Sequence, residues 1–374
     1  MRVLHVYKDV HPPVVGGVEK HIDGLRRALS PDVRCDVLVS GRSRRTTTAQ
    51  VNGAIEIRAA ELGPRPLSLA LAPSLPLLAR RADVDLVHVH MPNPPGELSG
   101  LALPRDTPLV ASYHADPMRQ ARLRGVYRPI ISALLERADA LVVGSRGILE
   151  TSAWLGDQVE RARVIRYGID LRRFDPAAVD PEERERLRAR WGRGRQLVVL
   201  VGRLVHYKGI EVLIEAAPRI DAEIVVAGSG PLEDRLRELA APVANVSLAG
   251  FVPEARLPAL LAAADVFVLP STSRAESFGI AALEAQAMGI PAVVTDVGSG
   301  TTESISPGET GLVCPPRDPA ALAEALTRAL ASPGMGAGAR ERVAERFDLE
   351  TQALEMRALY EEVIDRARTR SPAR

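Results

Sequence analysis

The chain has 374 residues and is poor in aromatics, which make up 3% of it. That scarcity argues against stacking platforms for single-stranded nucleic acid. Its formal net charge is +1, so no overall field draws in a polyanion, and nucleic acid is not an expected partner. There are only two cysteines, Cys35 and Cys314, far apart in sequence. They read as buried thiols of a reducing cytosol and not as a disulfide framework. No apolar run is long enough to span a bilayer: the longest, LSLALAPSLPLLA, falls short and carries two prolines. The opening MRVLHVYKDV runs straight into a strand pattern with no apolar stretch of a secretory signal. The expectation is a cytoplasmic protein, not integral to a membrane. Lysine is nearly absent too, occurring only as Lys8, Lys20 and Lys208 among many arginines.

What is present is a sizeable apolar fraction, 46%, on a length comfortable for two domains. Short β-rich runs alternate with helical patterns. Val3–Tyr7, Cys35–Val39, Asp85–His90, Leu109–Ser112 and Ala140–Val143 read as strands. Val18–Leu29, Met118–Arg137 and Ser145–Trp154 read as helices. Continuous runs such as LVVG imply strands covered on both faces, the habit of parallel sheets. The alternation stops over DLRRFDPAAVDPEERERLRARWGRGRQ, a charged segment that reads as a connection with one short helix, and restarts at Gln196. Five further strand candidates follow (QLVVLVGR, AEIVVAG, NVSLAG, ADVFVLP, IPAVVTD), separated by helices. The fold class is α/β, with two Rossmann-like doubly wound domains facing across a cleft. The expected division is a first domain over 1–175, a linker over 176–195, a second domain over 196–347, and an amphipathic helix over 348–374 that can pack back on the first domain.

Open α/β sheets bind ligands at the carboxyl ends of their strands. The unusual residues cluster in such loops. Gly16-Gly17 precedes a helix after the first strand, where bare backbone and a helix N-terminus suit an anion; an ordinary tight turn is the plainer alternative. VGRLVHYKGI projects Arg203 and Lys208 from one loop, enough charge to neutralise a diphosphate. A solvated basic loop is the alternative there. Gly228-x-Gly230 allows close backbone approach, but Glu233 occupies the third small position and spoils the dinucleotide fingerprint. His114 follows the strand LVASY and is either a cleft residue or a buried structural histidine. His88 and His90 alternate on one strand face; two ligands do not make a zinc site, and no metal is expected.

The segment ESFGIAALEA sets two carboxylates, Glu276 and Glu284, in a small, apolar setting. Ser277 is a plausible N-cap for a helix over Phe278–Met288, with Glu284 about two turns in. With Glu276 outside the helix, the two carboxylates can grip vicinal hydroxyls at two depths. A capping role for Glu276 and a surface position for Glu284 are the alternatives.

These residues resemble the retaining glycosyltransferases of the GT-B fold, family four. The likeness rests on ESFGIAALE, whose two glutamates have seven residues between them, with GGVE, HAD, YGID and GRLVHYKG, and it covers most of the chain. The opening stretch looks most like bacterial mannosyl- or rhamnosyltransferases of polysaccharide biosynthesis. The resemblance implies a hexosyl group moved from a nucleotide-sugar donor, with a GDP-sugar favoured, to a saccharide or lipid-linked acceptor. It implies no cofactor and no metal. Arg203 and Lys208 would bind the diphosphate, Glu276 the transferred sugar, and Glu284 the ribose. Backbone amides of Phe278, Gly279 and Ile280 would line sugar and phosphate. Phe251 and Val252 would take the base edge, Gly16 and Gly17 would approach the phosphates, and His114 would contact the sugar near its anomeric centre. A sugar-nucleotide epimerase of the same architecture is the alternative, and a non-catalytic nucleotide-sugar-binding protein a further one. Arg119, Arg122, Arg124 and Arg128 precede an apolar helical run. This segment either rests on an anionic membrane at its inner face or packs its apolar side on the sheet.

Overall fold

The computed structural model describes residues 1–14, 16–30, 32–63, 65, 70–117 and 124–370. The chain divides into two compact units, Met1–Gly168 with Leu349–Arg374, and Ile169–Asp348.

The first unit is built on an eight-stranded sheet of order β3-β4-β2-β1-β5-β6-β7-β8. The strands are β1 (Arg2–Val6), β2 (Arg34–Ser40), β3 (Thr47–Val51), β4 (Ala54–Ala59), β5 (Leu86–Met91), β6 (Leu109–Tyr113), β7 (Ala140–Val143) and β8 (Ala162–Val164). All pairings are parallel except β3 with β4. That hairpin turns on Asn52-Gly53, both at positive φ, the sequence signature of a two-residue turn. β3 is exposed along its whole length, so it carries none of the apolar patterning from which strands are read. Helices Leu75–Arg81 and Pro94–Leu101 add to those expected. The first of them seats Leu75 and Ala79 in the core, so the longest apolar stretch ends as a short packed helix.

One face of this sheet is closed by helix Leu349–Arg370. Its Ala353, Met356, Tyr360 and Val363, at helical spacing, share a cluster with Val3, Leu25, Leu86 and Val110. On the other face, helix Arg124–Arg137 buries Tyr127, Ile131, Leu134 and Leu135 against the strands. Its apolar side is thus spent on the sheet, and Arg128 is exposed. Arg119 and Arg122 lie outside the described residues, as does the start of the helix expected from Met118. Among the described residues no helix is long and apolar enough to cross a membrane.

The second unit holds a six-stranded parallel sheet of order β11-β10-β9-β12-β13-β14. Its strands are β9 (Leu197–Val201), β10 (Glu223–Ala227), β11 (Val246–Gly250), β12 (Val266–Leu269), β13 (Ala292–Thr295) and β14 (Gly311–Cys314). The first five match the sequence reading. β14, only four residues long and opened by a glycine, was not expected. The stretch 176–195 has the short helix expected of it but belongs to the second unit, which starts at Ile169 and not after 195. The helix is Pro181–Gly192, capped by the Asp180 carboxylate, which accepts from the Glu182 amide. Arg188 of that helix binds Asp265 at 2.5 Å, within the same unit. The unit begins at Ile169, whose amide donates to the Phe347 carbonyl. Cys35 and Cys314 are both buried free thiols.

The terminal helix also satisfies a polar group. Tyr360 Oη lies 2.7 Å from Nδ1 of His88, and both residues are buried. Tyr360→Phe should strand that nitrogen and cost about 1–3 kcal/mol of stability. Urea denaturation followed through Trp154 fluorescence, in a Trp191→Phe background, measures it. An unchanged midpoint would show that the hydroxyl contributes nothing.

Candidate active site

In the second unit β9 and β12 are neighbours, yet the chain leaves them for opposite sides of the sheet. Their carboxyl ends therefore open a crevice at the topological switch point. The loop after β9 carries Arg203 and Lys208 and ends at Gly209. Gly209 has φ +65°, and a Cβ there would lie 1.9 Å from the Pro270 carbonyl oxygen. No other residue fits so close to the β12 loop. The Thr272 amide donates to the Tyr207 carbonyl at 2.8 Å, joining the two loops.

This contact delivers Lys208 to Glu276. Nζ stands 2.6 Å from Oε2, with the side chains 11% and 10% exposed. Ser271 Oγ donates to the same oxygen at 3.3 Å. The backbone around Glu276 is held from the β13 loop: Ser299 Oγ donates to the Glu276 carbonyl at 2.6 Å, and the Gly300 amide to that of Ser277 at 2.9 Å. Burial works against the Lys208 charge, but Glu276, Tyr207 and Glu284 together outweigh it, and the ammonium is held above its ordinary pKa. The lysine stays charged where it is nearly dry.

The helix after Glu276 starts later than the sequence suggested. It runs Ile280–Ala287 with Gly279 as N-cap, and Ser277 does not cap it. The reason is Gly279 itself: at φ +84° it breaks the helical path, and its α-carbon packs so tightly on Leu269 that a side chain would collide. Glu284 is therefore the fifth helical residue, little more than one turn in, buried, and near enough to raise Lys208. The Phe278 ring points into the core against Phe347, leaving its backbone to line the loop.

The remaining loops of this sheet fall in a row. Arg203 is exposed, with no ion pair among the described residues. Gly228 packs on the Gly202 backbone and Gly230 on that of Leu204, so these glycines serve loop-to-loop contact. At the end of β11, Phe251 is 57% exposed and Val252 half-buried.

In the first unit Gly16 is the N-cap of helix Gly17–Leu29, and the Glu19 carboxylate folds back against it. His114 is buried, and both ring nitrogens are engaged: Nδ1 with Tyr167 Oη at 2.7 Å, Nε2 with Nδ1 of His90 at 2.9 Å. His90 Nε2 in turn meets His5 Nδ1 at 3.0 Å. His88 sits between Tyr360 and Ser112 Oγ, each at 2.7 Å. His21 lies edge-on to His114 and Tyr167. The sequence reading held His88, His90 and His114 but missed His5, His21, Tyr167 and Tyr360. The signal for His5 was its period-two position in β1, which becomes informative only once β1 is known to pair with β5, setting His5 opposite His88. His5, His88 and His90 offer ligand atoms within 4.8 Å of one another, the one candidate metal group among the described residues. Both nitrogens of His88 and of His90 already carry hydrogen bonds, so only His5 Nε2 has a lone pair to spare.

Comparison with solved structures identifies the fold. Over 97% of its length the chain superposes on sucrose-phosphate synthase from Thermosynechococcus elongatus, covering 99% of that chain with a TM-score of 0.81 at 24% identity. It superposes likewise on Anabaena Alr3699/HepE in complex with UDP-glucose, covering all of that chain with a TM-score of 0.76 at 18% identity. This is the GT-B glycosyltransferase fold. The family model for glycosyl transferases group 1 matches residues 182–346, and that for glycosyltransferase family 4 matches residues 15–173. D-rhamnosyltransferase WbpZ of Pseudomonas aeruginosa is 34% identical over 334 residues, spanning 87% of this chain and 86% of WbpZ. O-antigen chain mannosyltransferase C of Escherichia coli is 29% identical over 336 residues, spanning 87% and 88%. The chain belongs to the group 1, family 4 glycosyltransferases and is a hexosyltransferase.

The buried histidines make the first unit acid-sensitive. Burial lowers His21 from 6.5 to about 4 and His88 to about 3, and holds His5, His90 and His114 well below the usual range. All are neutral when folded and take up protons near pH 6.5 when unfolded. Their contribution is therefore complete above pH 6.5 and is lost as the pH falls towards the folded values. By pH 4, His21 alone should account for about 3 kcal/mol. In the Trp191→Phe variant the urea midpoint should drop steeply between pH 6.5 and pH 4. A flat profile would show that the imidazoles ionise inside the folded unit.

Proposed function

We propose that this chain transfers a mannose-type hexosyl group from a nucleotide-sugar donor, GDP-linked by preference, to a saccharide or lipid-linked acceptor in bacterial glycan assembly, with retention at the anomeric carbon. The observation that carries this reading is the nearly dry Lys208–Glu276 pair at the switch point between β9 and β12. The rhamnosyl- and mannosyltransferase names of its relatives support the sugar type.

Departure of a nucleoside diphosphate builds negative charge on oxygen and positive character on the sugar. A cation fixed in a low-dielectric site stabilises the first without having to reorganise. Lys208 is such a cation, and Arg203, exposed on the same loop, adds a second. Glu276 has a dual task. One oxygen holds Lys208 in place, while the carboxylate can still accept hydrogen bonds from sugar hydroxyls. Glu284, deeper along the helix, is suited to ribose hydroxyls. The backbone amides of Phe278, Gly279 and Ile280 would line sugar and phosphate, and Gly228, Phe251 and Val252 would lie towards the base. In the first unit Gly16 and Gly17 would meet the phosphates and His114 the sugar.

The test is a panel of GDP-, UDP-, ADP- and dTDP-sugars incubated with and without saccharide acceptors. Products are identified by mass and the new linkage by NMR. Acceptor-dependent transfer from a GDP-hexose with an axial, retained linkage is expected. An epimerised donor formed without acceptor would replace the transferase reading. Glu276→Gln keeps the shape but weakens the charge-assisted bonds, worth about 1.5–3 kcal/mol. Its kcat should fall by about 10- to 100-fold while calorimetric GDP affinity changes only a few-fold. Near-normal turnover would remove Glu276 from the reaction.

A further inference from the structure

We propose that His5 and His90 are positioning residues that fix the tautomer of His114: the three imidazoles form one head-to-tail hydrogen-bond chain, each protonated on Nδ1, ending on the Tyr167 oxygen.

The chain runs His5 Nδ1 to His90 Nε2 at 3.0 Å, His90 Nδ1 to His114 Nε2 at 2.9 Å, and His114 Nδ1 to Tyr167 Oη at 2.7 Å. The ring planes of His90 and His114 differ by 8°, and those of His5 and His90 by 15°, with centroids 5.1 and 5.3 Å apart. Such separations at these N···N distances mean that the nitrogens meet in plane, along their lone pairs, and not face to face. The strands dictate the alignment. His5 stands on β1 opposite His88 of β5, and His90 stands two residues further along β5, opposite Ser112 of β6, with His114 just beyond.

A neutral imidazole has one donor and one acceptor. In a head-to-tail row the choice made by one ring therefore dictates the next. If His5 carries its proton on Nδ1, then His90 must accept at Nε2 and donate from Nδ1, and His114 must do the same. The opposite polarity would put every proton on Nε2. The free end decides between them. His5 Nε2 is buried and has no partner among the described residues. A bare buried N–H is the costlier orphan, and a bare lone pair is the commoner one in folded proteins. The chain therefore starts from an unprotonated His5 Nε2, and the Tyr167 oxygen accepts at the far end. A second proton on His90 or His114 would set two donors head to head, one on His5 would leave a bare N–H at Nε2, and burial keeps all three neutral. His114 thus holds its proton on Nδ1, given to the Tyr167 oxygen, with the polarity chosen from two rings away and the ring orientation fixed at both nitrogens. The catalytic consequence rests on the preceding reading that His114 serves the transferred sugar; the tautomers do not.

Long-range 1H–15N correlation on the 15N-histidine-labelled full chain at pH 7.5 reads each tautomer directly, with assignment by single His→Gln replacements. His5, His90 and His114 should all show the Nδ1–H pattern. One or more of them in the Nε2–H form, or an imidazolium among them, overturns the proposal. So would stoichiometric zinc in the purified protein, since ligation by His5, His88 and His90 needs the lone pairs that the chain uses. The second arm is kinetic. His90→Leu, checked for native circular dichroism, should lower kcat at least tenfold with the nucleotide Kd within twofold. His90→Gln, which can still accept and donate, should recover part of that loss. Turnover of folded His90→Leu within twofold of the parent ends the positioning role. If no donor is turned over at all, the function reading fails, while the NMR result still decides the chain.

Discussion

Parallel strands cannot be joined by a tight turn, and each connection must cross back over the sheet, as a rule through a helix. This constraint sets the layout of both units. Twelve of their fourteen strands have parallel neighbours only; β3 pairs antiparallel with β4, which pairs parallel with β2. Helices cover the faces, so the strands read as continuous apolar runs. In each sheet the loops that follow the mutually parallel strands gather at one end. Where the winding reverses, between β9 and β12, no crossover covers that end. Lys208 and Glu276 are there because the topology leaves that place open.

This layout explains which parts were legible in the sequence. Strands buried on both faces, such as LVVLV of β9 and EIVVA of β10, announce themselves by composition. β3 does not, because an exposed edge strand has no face to bury, although the Asn52-Gly53 pair beside it was a usable turn signal. The helix start was misread because Ser277 is a good capping residue locally, while the decisive fact is tertiary: Gly279 is pressed against Leu269. Likewise the pairing of Lys208 with Glu276, 68 positions apart, follows from the adjacency of β9 and β12, which single-sequence patterning does not contain. Cation and carboxylate were each recognisable as loop residues; their contact was not. The histidine chain was further out of reach, since it needs β1 and β5 in register, the loop after β6, and Tyr167 from beyond β8.

The histidine layer of the first unit and the Lys208–Glu276 site of the second handle buried polarity by opposite means. In the second, a full charge is kept dry and matched by another. Such a pair gives little net stability, since desolvation takes back most of the attraction, yet removing either partner leaves an uncompensated charge. That economics suits a reactive site and not a scaffold. In the first the buried rings are kept neutral. Five histidines and two tyrosines satisfy one another or pack edge to face on the side of the sheet that helix Leu349–Arg370 covers. Neutral rings avoid the desolvation cost, but only while each donor finds an acceptor.

The same sheet face shows how this division is made. Along β1, β5 and β6 the inward positions change from Val3, Leu86 and Val110 to His5, His88 and Ser112, and then to Tyr7, His90 and His114. Period two keeps them all on one side. The layer is apolar towards the amino ends of the strands, where it only has to pack, and polar towards the carboxyl ends, where ligands of such sheets bind. Helix Leu349–Arg370 follows the same gradient, with Met356, Leu359 and Val363 against the apolar part and the Tyr360 hydroxyl reaching His88. A helix contributed by the last residues of the chain therefore does more than close a core. It supplies the hydroxyl that completes the hydrogen bonding of His88, whose ring centroid lies 4.1 Å from that of His90, and so joins the polar end of the layer as well as the apolar one.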